Sequence, residues 1–479
     1  MPVTKESFLA ATSCHTQAWY LAQSKKTSPT DGEKLRMEEG IEIHERARAL
    51  FKDGQFSGEA VKTAKLIADS SVPIIFEAAF EHDGYAARAD MLSREPQGFK
   101  LVEVKSSLHN NDRVDSDHID DMAYTAMVLR AAGVRILKAE LILLSRDFRL
   151  GMNDAALFVA SDHTDAVLAR ADEFLEQWPT IQASILNDAS PKPELILNCK
   201  KCHYFESHCV GKGVKHSILE LPMLREARFD ELKSKGFFTI TAIPADFDLS
   251  ENQARVATAV RDGKPIVDSA LLKKLLASIR WPAYFLDFET AKTALPLWPD
   301  VAPHEQVVTQ YSLHVCTTTG KVEQLRTFLA DPTKDCRREL AERLLADLGN
   351  EGTIVVYSSF EKTMLTNLAK RFPDLAPGLE ACIKRLFDLE KVFKDAYYHP
   401  DFCGSTSIKQ TLPVLVPGMN YDGLTIKDGD TAMAAFTKMA RGRCNADEAK
   451  AIRDALLEYC GQDTLAMVRL HEAVSKVVA

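Results

Sequence analysis

The spacing of apolar and polar positions changes several times along the first half of the chain. Residues 4–50 have the pattern of helices, with a charged amphipathic stretch at 33–51, whereas residues 73–105 contain short apolar runs with strand character. Gly84 and the turn at residues 96–98 separate these runs. Further helices are predicted at 117–132 and 162–187, and a further strand at 139–144. This half therefore predicts an α/β arrangement in which a strand-rich centre is enclosed by helices.

The second half of the chain repeats this alternation after a less regular stretch. Residues 219–279 are mostly helix and turn in pattern, and we interpret them as a connector. An α/β pattern resumes with strands at 284–288 and 353–357, a helix at 335–348 and a long Ala-rich helix at 446–477. We therefore expect an N-terminal domain at residues 1–218, a helical connector at 219–279 and a C-terminal domain at 280–479.

Composition narrows the class of protein. The 479 residues are 46% hydrophobic and 27% charged, which is typical of a globular protein of two or three domains. Because no long apolar run and no apolar N-terminal signal occur, we expect a cytoplasmic protein with no membrane association. The net charge of −9 does not by itself indicate a nucleic-acid partner. It does not exclude one, since nuclease sites are built from carboxylates that metal ions neutralise.

A first group of candidate site residues lies in the strand-rich region. Glu103 and Lys105 are two positions apart, so their side chains leave the same face of a strand, and Asp90 lies on the preceding strand. Carboxylates of this kind can hold Mg²⁺ or Mn²⁺, and a neighbouring lysine can stabilise charge on a phosphate. His44, on an earlier helix, is a candidate for a further metal ligand. The competing interpretation is a solvent-facing strand and an ordinary helical histidine.

Four cysteines form a second candidate site. Cys199, Cys202 and Cys209 are closely spaced, and Cys14 is the only cysteine before them. Four thiolates suit either a [4Fe–4S] cluster or a structural Zn²⁺ ion. Zinc would also accept an imidazole in place of Cys14, and the candidates are His15, His203 and His208. Buried thiols without a metal are the remaining alternative. The other cysteines have no ligand spacing and are interpreted as ordinary thiols: Cys316, Cys336, Cys382, Cys403, Cys444 and Cys460.

These motifs resemble a known nuclease family. Gly40-(3)-His44, Asp90, Glu103-Val104-Lys105 and the four cysteines make residues 1 to about 215 similar to RecB-like PD-(D/E)xK nucleases with an iron–sulfur cluster. The resemblance implies a restriction-endonuclease-like fold. It also implies Asp90, Glu103 and Lys105 as catalytic residues, and a structural [4Fe–4S] cluster on Cys14, Cys199, Cys202 and Cys209. One position departs from the family: Asp120 stands where a glutamine is usual, four positions before Tyr124.

A second acidic group lies in the C-terminal half. Asp287 and Glu289 interrupt an apolar strand two positions apart, so both project from one face. Burying two carboxylates on one face is costly unless cations neutralise them, which predicts a metal site. Tyr459 and Asp463 share one face of the last helix. A phenol there can orient a water molecule for attack on a phosphate.

This second group resembles the DEDDy branch of DnaQ-like 3′–5′ exonucleases, which have an RNase H-like fold. The resemblance assigns Asp287, Glu289 and Asp463 as metal ligands and Tyr459 as catalytic. Glu361 is the expected middle acid, where most relatives have aspartate, and Asp388 is a reserve candidate. Residues 397–417 resemble the signature of a domain-of-unknown-function family, in which such a domain follows a RecB-like module.

Together these features predict a metal-dependent nuclease with two sites that acts on DNA in repair, recombination or defence. Its expected cofactors are a [4Fe–4S] cluster and Mg²⁺ or Mn²⁺. Two alternatives stay open. One is a nucleic-acid-binding protein in which one or both sites are inactive. The other is an RNA-processing exonuclease, because DnaQ-like domains act on either polymer.

Overall fold

The protein has a mixed α/β fold, as the sequence predicts. The structure, a computed structural model, describes residues 3–23, 28–110 and 114–478; residues 24–27 of the predicted N-terminal helical region lie outside this part. The chain forms two compact units. The first contains the chain up to Glu194 together with Lys292–Glu305, and the second contains Leu195–Ala291 and the chain from Gln306 onward.

The first unit is built on a six-stranded sheet in the order β1-β2-β3-β4-β5-β6. Its strands are β1 Gly54–Phe56, β2 Ile74–His82, β3 Tyr85–Glu95, β4 Gly98–Leu108, β5 Ile136–Leu144 and β6 Phe158–Asp162. Its helices are α1 Lys5–Ala11, α2 His15–Gln23, α3 Asp31–Ala49, α4 Ala60–Ala68, α5 Ser116–Ala131 and α6 Thr164–Leu186. The pairs β1/β2 and β4/β5 are parallel, and the other neighbouring pairs are antiparallel.

Helices cover both faces of this sheet. On one face Phe8 of α1 packs against Tyr124 of α5 and Phe174 of α6, with ring centroids 5.2 and 5.0 Å away. On the other face α3 packs its buried Ile43 and Ala47 against alternate residues of β3, β4 and β5. α3 begins with a capping box in which Thr30 and Glu33 satisfy each other's backbone N–H groups. Because Val102 and Val104 face α3, the side chain of Glu103 between them leaves the opposite face of β4.

The second unit contains a five-stranded sheet in the order β10-β9-β8-β11-β12 and a two-stranded sheet β13-β7. Its helices are α7 Phe205–His208, α8 Glu226–Ser234, α9 Glu251–Asp262, α10 Ser269–Ala277, α11 Arg337–Leu348, α12 Phe360–Arg371, α13 Ala376–Ile383, α14 Ile408–Leu415, α15 Gly429–Ala440 and α16 Ala446–Lys476. Its strands are β7 Ile266–Val267, β8 Ala283–Ala291, β9 Val307–Thr318, β10 Lys321–Leu329, β11 Thr353–Val356, β12 Leu386–Asp388 and β13 Tyr397–Tyr398.

Alternation along β8 divides its side chains between two layers. Tyr284, Leu286 and Phe288 pack with α11, α12 and α13 on one face of the sheet. The intervening positions face α16, where the Cys460 Sγ atom lies 3.8 Å from Asp287 Oδ2. α16 begins with a capping box between Asn445 and Glu448. Because β8 pairs in parallel with β11 and antiparallel with β9, it is the central strand that carries the acidic pair.

Candidate functional site

The structure brings together the three strand residues predicted for the first site. Asp90 lies on β3, and its Oδ2 atom accepts a hydrogen bond of 2.8 Å from the backbone N–H of Val104 on β4. Lys105 Nζ donates to Glu103 Oε1 at 2.8 Å, and Glu103 is buried. The antiparallel register of β3 and β4 therefore places both carboxylates and the lysine in one cluster.

His44 of α3 reaches the same cluster. Its Nε2 atom donates to the Val104 carbonyl oxygen at 3.0 Å, because a carbonyl can only accept. In the neutral imidazole the Nδ1 atom then carries a lone pair, and it lies 3.7 Å from Asp90 Oδ1. Burial lowers the pKa of His44, which favours this neutral form. Two electron-pair donors that face each other across this gap suit a shared cation.

Glu77 belongs to this cluster but was not predicted from the sequence. One ligand atom from each of His44, Glu77 and Asp90 lies within 4.8 Å of the others. Glu77 has a φ of 51°, a left-handed conformation that is uncommon for residues with a side chain, and it interrupts the pairing of β2 with β3. Arg48 holds its carboxylate with a hydrogen bond of 2.7 Å. Strand periodicity gives no signal for such a displaced residue.

Lys5 and Asp121 also belong to the site without having been predicted. Lys5 Nζ lies 3.1 Å from Asp121 Oδ1 and 3.6 Å from Glu103 Oε1, and Lys105 also contacts Asp121. Burial alone would lower the pKa of Lys105, but the carboxylates of Glu103 and Asp121 raise it well above its usual value. Lys5 and Lys105 hold the pKa of Asp121 well below its usual range, against the effect of its burial. Lys105 therefore stays protonated.

The donor set of this first site fits a divalent cation. Burial, followed by repulsion from Glu103, raises the pKa of Asp90 well above its ordinary value. Among the described residues, the buried Glu103 Oε2 atom has no hydrogen-bond partner. An orphaned carboxylate oxygen of this kind is costly unless a cation completes its shell. His44, Glu77, Asp90 and Glu103 therefore offer the nitrogen and oxygen ligands that such an ion would need.

The departure from the family motif on α5 has a structural counterpart. Asp120 forms a salt bridge of 2.7 Å with Arg170 of α6, so its carboxylate is paired. The hydroxyl of Tyr124 is buried and donates to the carbonyl oxygens of Val3 and Ala86, at 2.9 and 2.8 Å. Asp120 and Tyr124 therefore hold α5 against neighbouring elements, whereas Asp121 is the α5 residue whose carboxylate contacts Lys105.

The second acidic group also converges. One carboxylate oxygen from each of Asp287, Glu289 and Asp463 lies within 4.8 Å of the others. Asp463 is buried, and the two strand residues are half-buried. Burial, followed by repulsion from neighbouring carboxylates, raises the pKa of Asp287 well above its ordinary value and that of Glu289 to about 8. Burial raises the pKa of Asp463 to about 6, against the opposing effects of Tyr421, Lys409 and Tyr459. Three such carboxylates cannot all stay ionised without a neutralising cation.

Glu361 joins this group from the N-terminal end of α12. Its side chain is buried and hydrogen-bonds to Asp287, and burial raises its pKa to about 8. Within the part of the chain that the structure describes, its Oε2 atom has no hydrogen-bond partner. The reserve candidate Asp388 is placed differently. Its Oδ1 atom accepts hydrogen bonds of 3.0 Å from the backbone N–H groups of Ser358 and Glu390.

Two tyrosines and a lysine border the second group. The buried Tyr459 hydrogen-bonds to Asp463, one turn later on α16. Tyr421, which was not predicted, donates to Asp463 Oδ1 at 2.6 Å. The Lys409 Nζ atom lies 5.7 and 5.9 Å from the ring centroids of Tyr421 and Tyr459. Burial and the surrounding carboxylates raise the pKa of both phenols far above the ordinary value, so both keep their protons.

The predicted cluster cysteines belong to two different units of the chain. Cys199, Cys202 and Cys209 lie in the second unit around a short 3₁₀ helix and α7, and Cys14 precedes α2 in the first unit. The Sγ atoms of Cys14 and Cys199 each accept a backbone N–H at 3.4 Å, from Gln17 and Ile196. Among the described residues, the trio does not form a group of ligand atoms within 4.8 Å. The iron–sulfur cluster therefore stays a prediction.

Comparisons with known proteins identify a domain but not an activity. Residues 284–407 match the model of a family described as a domain of unknown function, DUF2779. An uncharacterised MG366 homologue of Mycoplasma pneumoniae is 27% identical over 234 residues, covering 44% of this chain and 35% of that protein. The uncharacterised protein UU173 of Ureaplasma parvum is 24% identical over 227 residues, covering 43% and 33%. The chain thus matches about a third of the length of these relatives.

Two solved structures are distant matches. An alkaline exonuclease of Laribacter hongkongensis, LHK-Exo, has 14% identity, covers 38% of this chain and 89% of its own, and has a TM-score of 0.24. The structure of LHK-Exo in complex with dAMP has 16% identity, the same coverage and a TM-score of 0.23. Within the described residues, the helices are too short or too polar to cross a lipid bilayer.

Proposed function

We propose that the protein is a metal-dependent nuclease with one hydrolytic site in each unit. The observation that carries the proposal is the grouping of Asp287, Glu289 and Asp463, whose ligand atoms lie within 4.8 Å of one another. Their raised pKa values show the cost of placing these acids together without a counter-charge. Bound divalent cations would offset this cost, and such cations catalyse the hydrolysis of phosphodiesters.

In the second unit, each residue type has a role in this chemistry. The three acids and Glu361 would hold Mg²⁺ or Mn²⁺, which when bound lowers the pKa of a coordinated water and neutralises charge on the phosphate. Tyr459 keeps its proton and is hydrogen-bonded to Asp463, so its oxygen can accept from and orient an attacking water. Lys409 supplies positive charge beside the acids, where an anionic strand would bind.

In the first unit, Lys105 is the residue suited to stabilise charge. Glu103 and Asp121 keep its ammonium group protonated and fix its position, so it can donate to a phosphate oxygen. His44, Glu77, Asp90 and Glu103 form the ligand set. Within it, the neutral imidazole of His44 and the Glu103 Oε2 atom, which has no hydrogen-bond partner among the described residues, are available to a metal ion. The predicted cluster on Cys14, Cys199, Cys202 and Cys209 would have a structural role.

The resemblances favour DNA as the substrate, and RNA is the alternative polymer. Wild-type protein and the variants Asp90→Ala, Lys105→Ala, Asp287→Ala and Asp463→Ala should be incubated with end-labelled DNA and RNA strands of matched sequence, with Mg²⁺ or Mn²⁺. We expect each variant to remove the products of one site only. Asp165→Ala and Asp454→Ala replace exposed acids on α6 and α16 and should leave cleavage unchanged.

Two outcomes would change this proposal. If the wild type leaves every strand intact with both metal ions but still binds it, the protein is a nucleic-acid-binding protein with inactive sites. If only RNA is degraded, it is an RNA-processing enzyme. Anaerobic purification with iron, sulfide and zinc analysis tests the cluster separately. Brown protein with iron and sulfide supports it, and colourless protein with stoichiometric zinc supports the tetrahedral alternative.

A further inference from the structure

A third group of potential metal ligands lies in the second unit, outside both acidic sites. One ligand atom from each of His216, Glu220 and Cys403 lies within 4.8 Å of the others. His216 Nδ1 is 3.1 Å from Glu220 Oε2, with the two residues at opposite ends of a short turn. Cys403 comes from the loop after β13, far away in the sequence. Spacing along the chain therefore gave no reason to regard Cys403 as anything but an ordinary thiol.

Unusual backbone conformations hold two of the three residues in place. His216 has a φ of 55° and Cys403 a φ of 48°, both in the left-handed region that side-chain-bearing residues rarely adopt. Gly404 follows with a φ of 78°, and a Cβ atom there would lie 2.0 Å from the Glu220 carbonyl oxygen. Only glycine therefore permits the loop to lie directly against residue 220. This close approach delivers the Cys403 thiol to the Glu220 carboxylate.

The charges around the thiol are those that a cation would neutralise. The charged side chains that act on the Cys403 thiol are all acidic, namely Glu220, Asp401 and Glu206. The carboxylate of Glu220 hydrogen-bonds to the imidazole of His216, and Glu206 adds a further negative charge near it. His216 and Glu220 are half-buried, whereas Cys403 is exposed, so a metal ion can enter from solvent on the thiol side.

We propose that His216, Glu220 and Cys403 bind one Zn²⁺ ion. Thiolate, imidazole and carboxylate are the three ligand types that zinc accepts in proteins, and softer and harder ions each match only part of this set. On binding, the Cys403 thiol loses its proton to solvent, a Zn–S bond forms, and a fourth position stays open to water. The ion would fasten the loop of residues 397–404 to the turn of residues 216–220. This proposal does not depend on nuclease activity.

Metal content provides the first test. Full-length protein should be produced with zinc in the medium, freed of loosely bound metal by gel filtration, and analysed for zinc and iron per chain. Wild type and Cys444→Ser, which replaces a half-buried cysteine elsewhere in this unit, should carry one zinc more than His216→Ala, Glu220→Gln and Cys403→Ser. Zinc on the cysteine trio would add equally to all five proteins and leave the difference intact. Equal zinc content in all five would overturn the proposal.

Thermal unfolding provides a second readout that does not depend on one variant. Protein stripped with a chelator should gain thermal stability on addition of Zn²⁺, because the ion binds the folded state. We expect the gain to be smaller in the three variants than in Cys444→Ser. If Cys403→Ser fails to fold, Glu220→Gln decides the matter, since it keeps the size of the side chain. A Zn²⁺ response in Glu220→Gln and His216→Ala as large as in the wild type would contradict the site.

Discussion

The Nδ1 atom of His44 lies 3.7 Å from Asp90 Oδ1, while its Nε2 atom is engaged by the Val104 carbonyl. The Nδ1 atom of this helical histidine therefore faces the carboxylate on β3, so the two side chains can bind the same metal ion. It predicts that His44→Ala lowers Mn²⁺ affinity at the first site by about tenfold to a hundredfold. Isothermal titration on an Asp287→Ala background would measure this site with the second one weakened.

The matched control for this prediction is His82→Ala, which removes an exposed histidine at the end of β2. It should titrate like its parent. Equal Mn²⁺ affinity in the His44 and His82 variants would mean that the histidine only packs against β4.

Lys105 should matter for both rate and stability. Lys105→Met leaves Glu103 and Asp121 facing each other with only Lys5 to offset them, so we expect the free energy of unfolding to fall by about 1–3 kcal/mol. We also expect kcat of the first site to fall by about 10²–10³ because a charge-stabilising donor is lost. Urea unfolding and cleavage assays on an Asp287→Ala background would measure the two effects.

Lys100→Met is the control for that variant, because Lys100 lies on the same strand and pairs with Glu140 at 3.2 Å. It should change the free energy of unfolding slightly and leave kcat unaltered. A kcat of Lys105→Met equal to that of Lys100→Met would remove Lys105 from the catalytic group.

The second acidic group predicts a specific pH dependence. Glu289 and Glu361 have folded-state pKa values raised to about 8, so the metal-free folded protein binds more protons than the unfolded chain between about pH 4.5 and 8. Its stability should therefore fall as pH rises through this range. Metal affinity should rise over the same range, because ions and protons compete for the carboxylates.

Thermal unfolding at pH 6 and pH 8, with chelator and with Mg²⁺, would check this dependence. Stabilisation by Mg²⁺ should be larger at pH 8 than at pH 6, and the difference should shrink in Asp463→Asn. Mg²⁺ stabilisation that weakens toward pH 8 would contradict the assignment of these acids as ligands.

Substitutions of the two tyrosines beside Asp463 should affect metal affinity and kcat differently. Tyr421 donates to Asp463 Oδ1 at 2.6 Å, so Tyr421→Phe should weaken metal affinity by about tenfold or more while the ion still binds. Tyr459→Phe should instead lower kcat by about a hundredfold with a smaller change in affinity. Single-turnover cleavage at several Mn²⁺ concentrations distinguishes the two. The same effect on both constants in both variants would refute separate roles.

Much of this arrangement follows from local sequence pattern. The period of two predicted that Glu103 and Lys105 share a face, as do Asp287 and Glu289, and the helical period predicted the pairing of Tyr459 with Asp463. The α/β fold is confirmed, and α5, α6, α11 and α16 lie within a few residues of their predicted ranges. β9 and β10 were not predicted, because β9 is buried on both faces and β10 is mostly exposed, so neither alternates clearly.

The remaining site residues depend on tertiary structure. Glu77 turns toward His44 because its backbone has a left-handed conformation. Lys5 reaches Glu103 because α1 packs against the sheet, and Tyr421 reaches Asp463 from a loop that has no periodic pattern. Residues 292–305 are a further example. Inserted between β8 and β9, they contribute to the first unit, where the Ala294 N–H donates to Glu39 Oε2 at 3.1 Å. Sequence spacing contains no information about such contacts.

The most direct test of two carboxylate-based metal sites is a crystal grown with Mn²⁺ and measured at a wavelength where manganese scatters anomalously. We expect one set of anomalous peaks between His44, Asp90 and Glu103 and a second set between Asp287, Glu289 and Asp463. Saturating Mn²⁺ with no anomalous peak at either group would contradict the central claim.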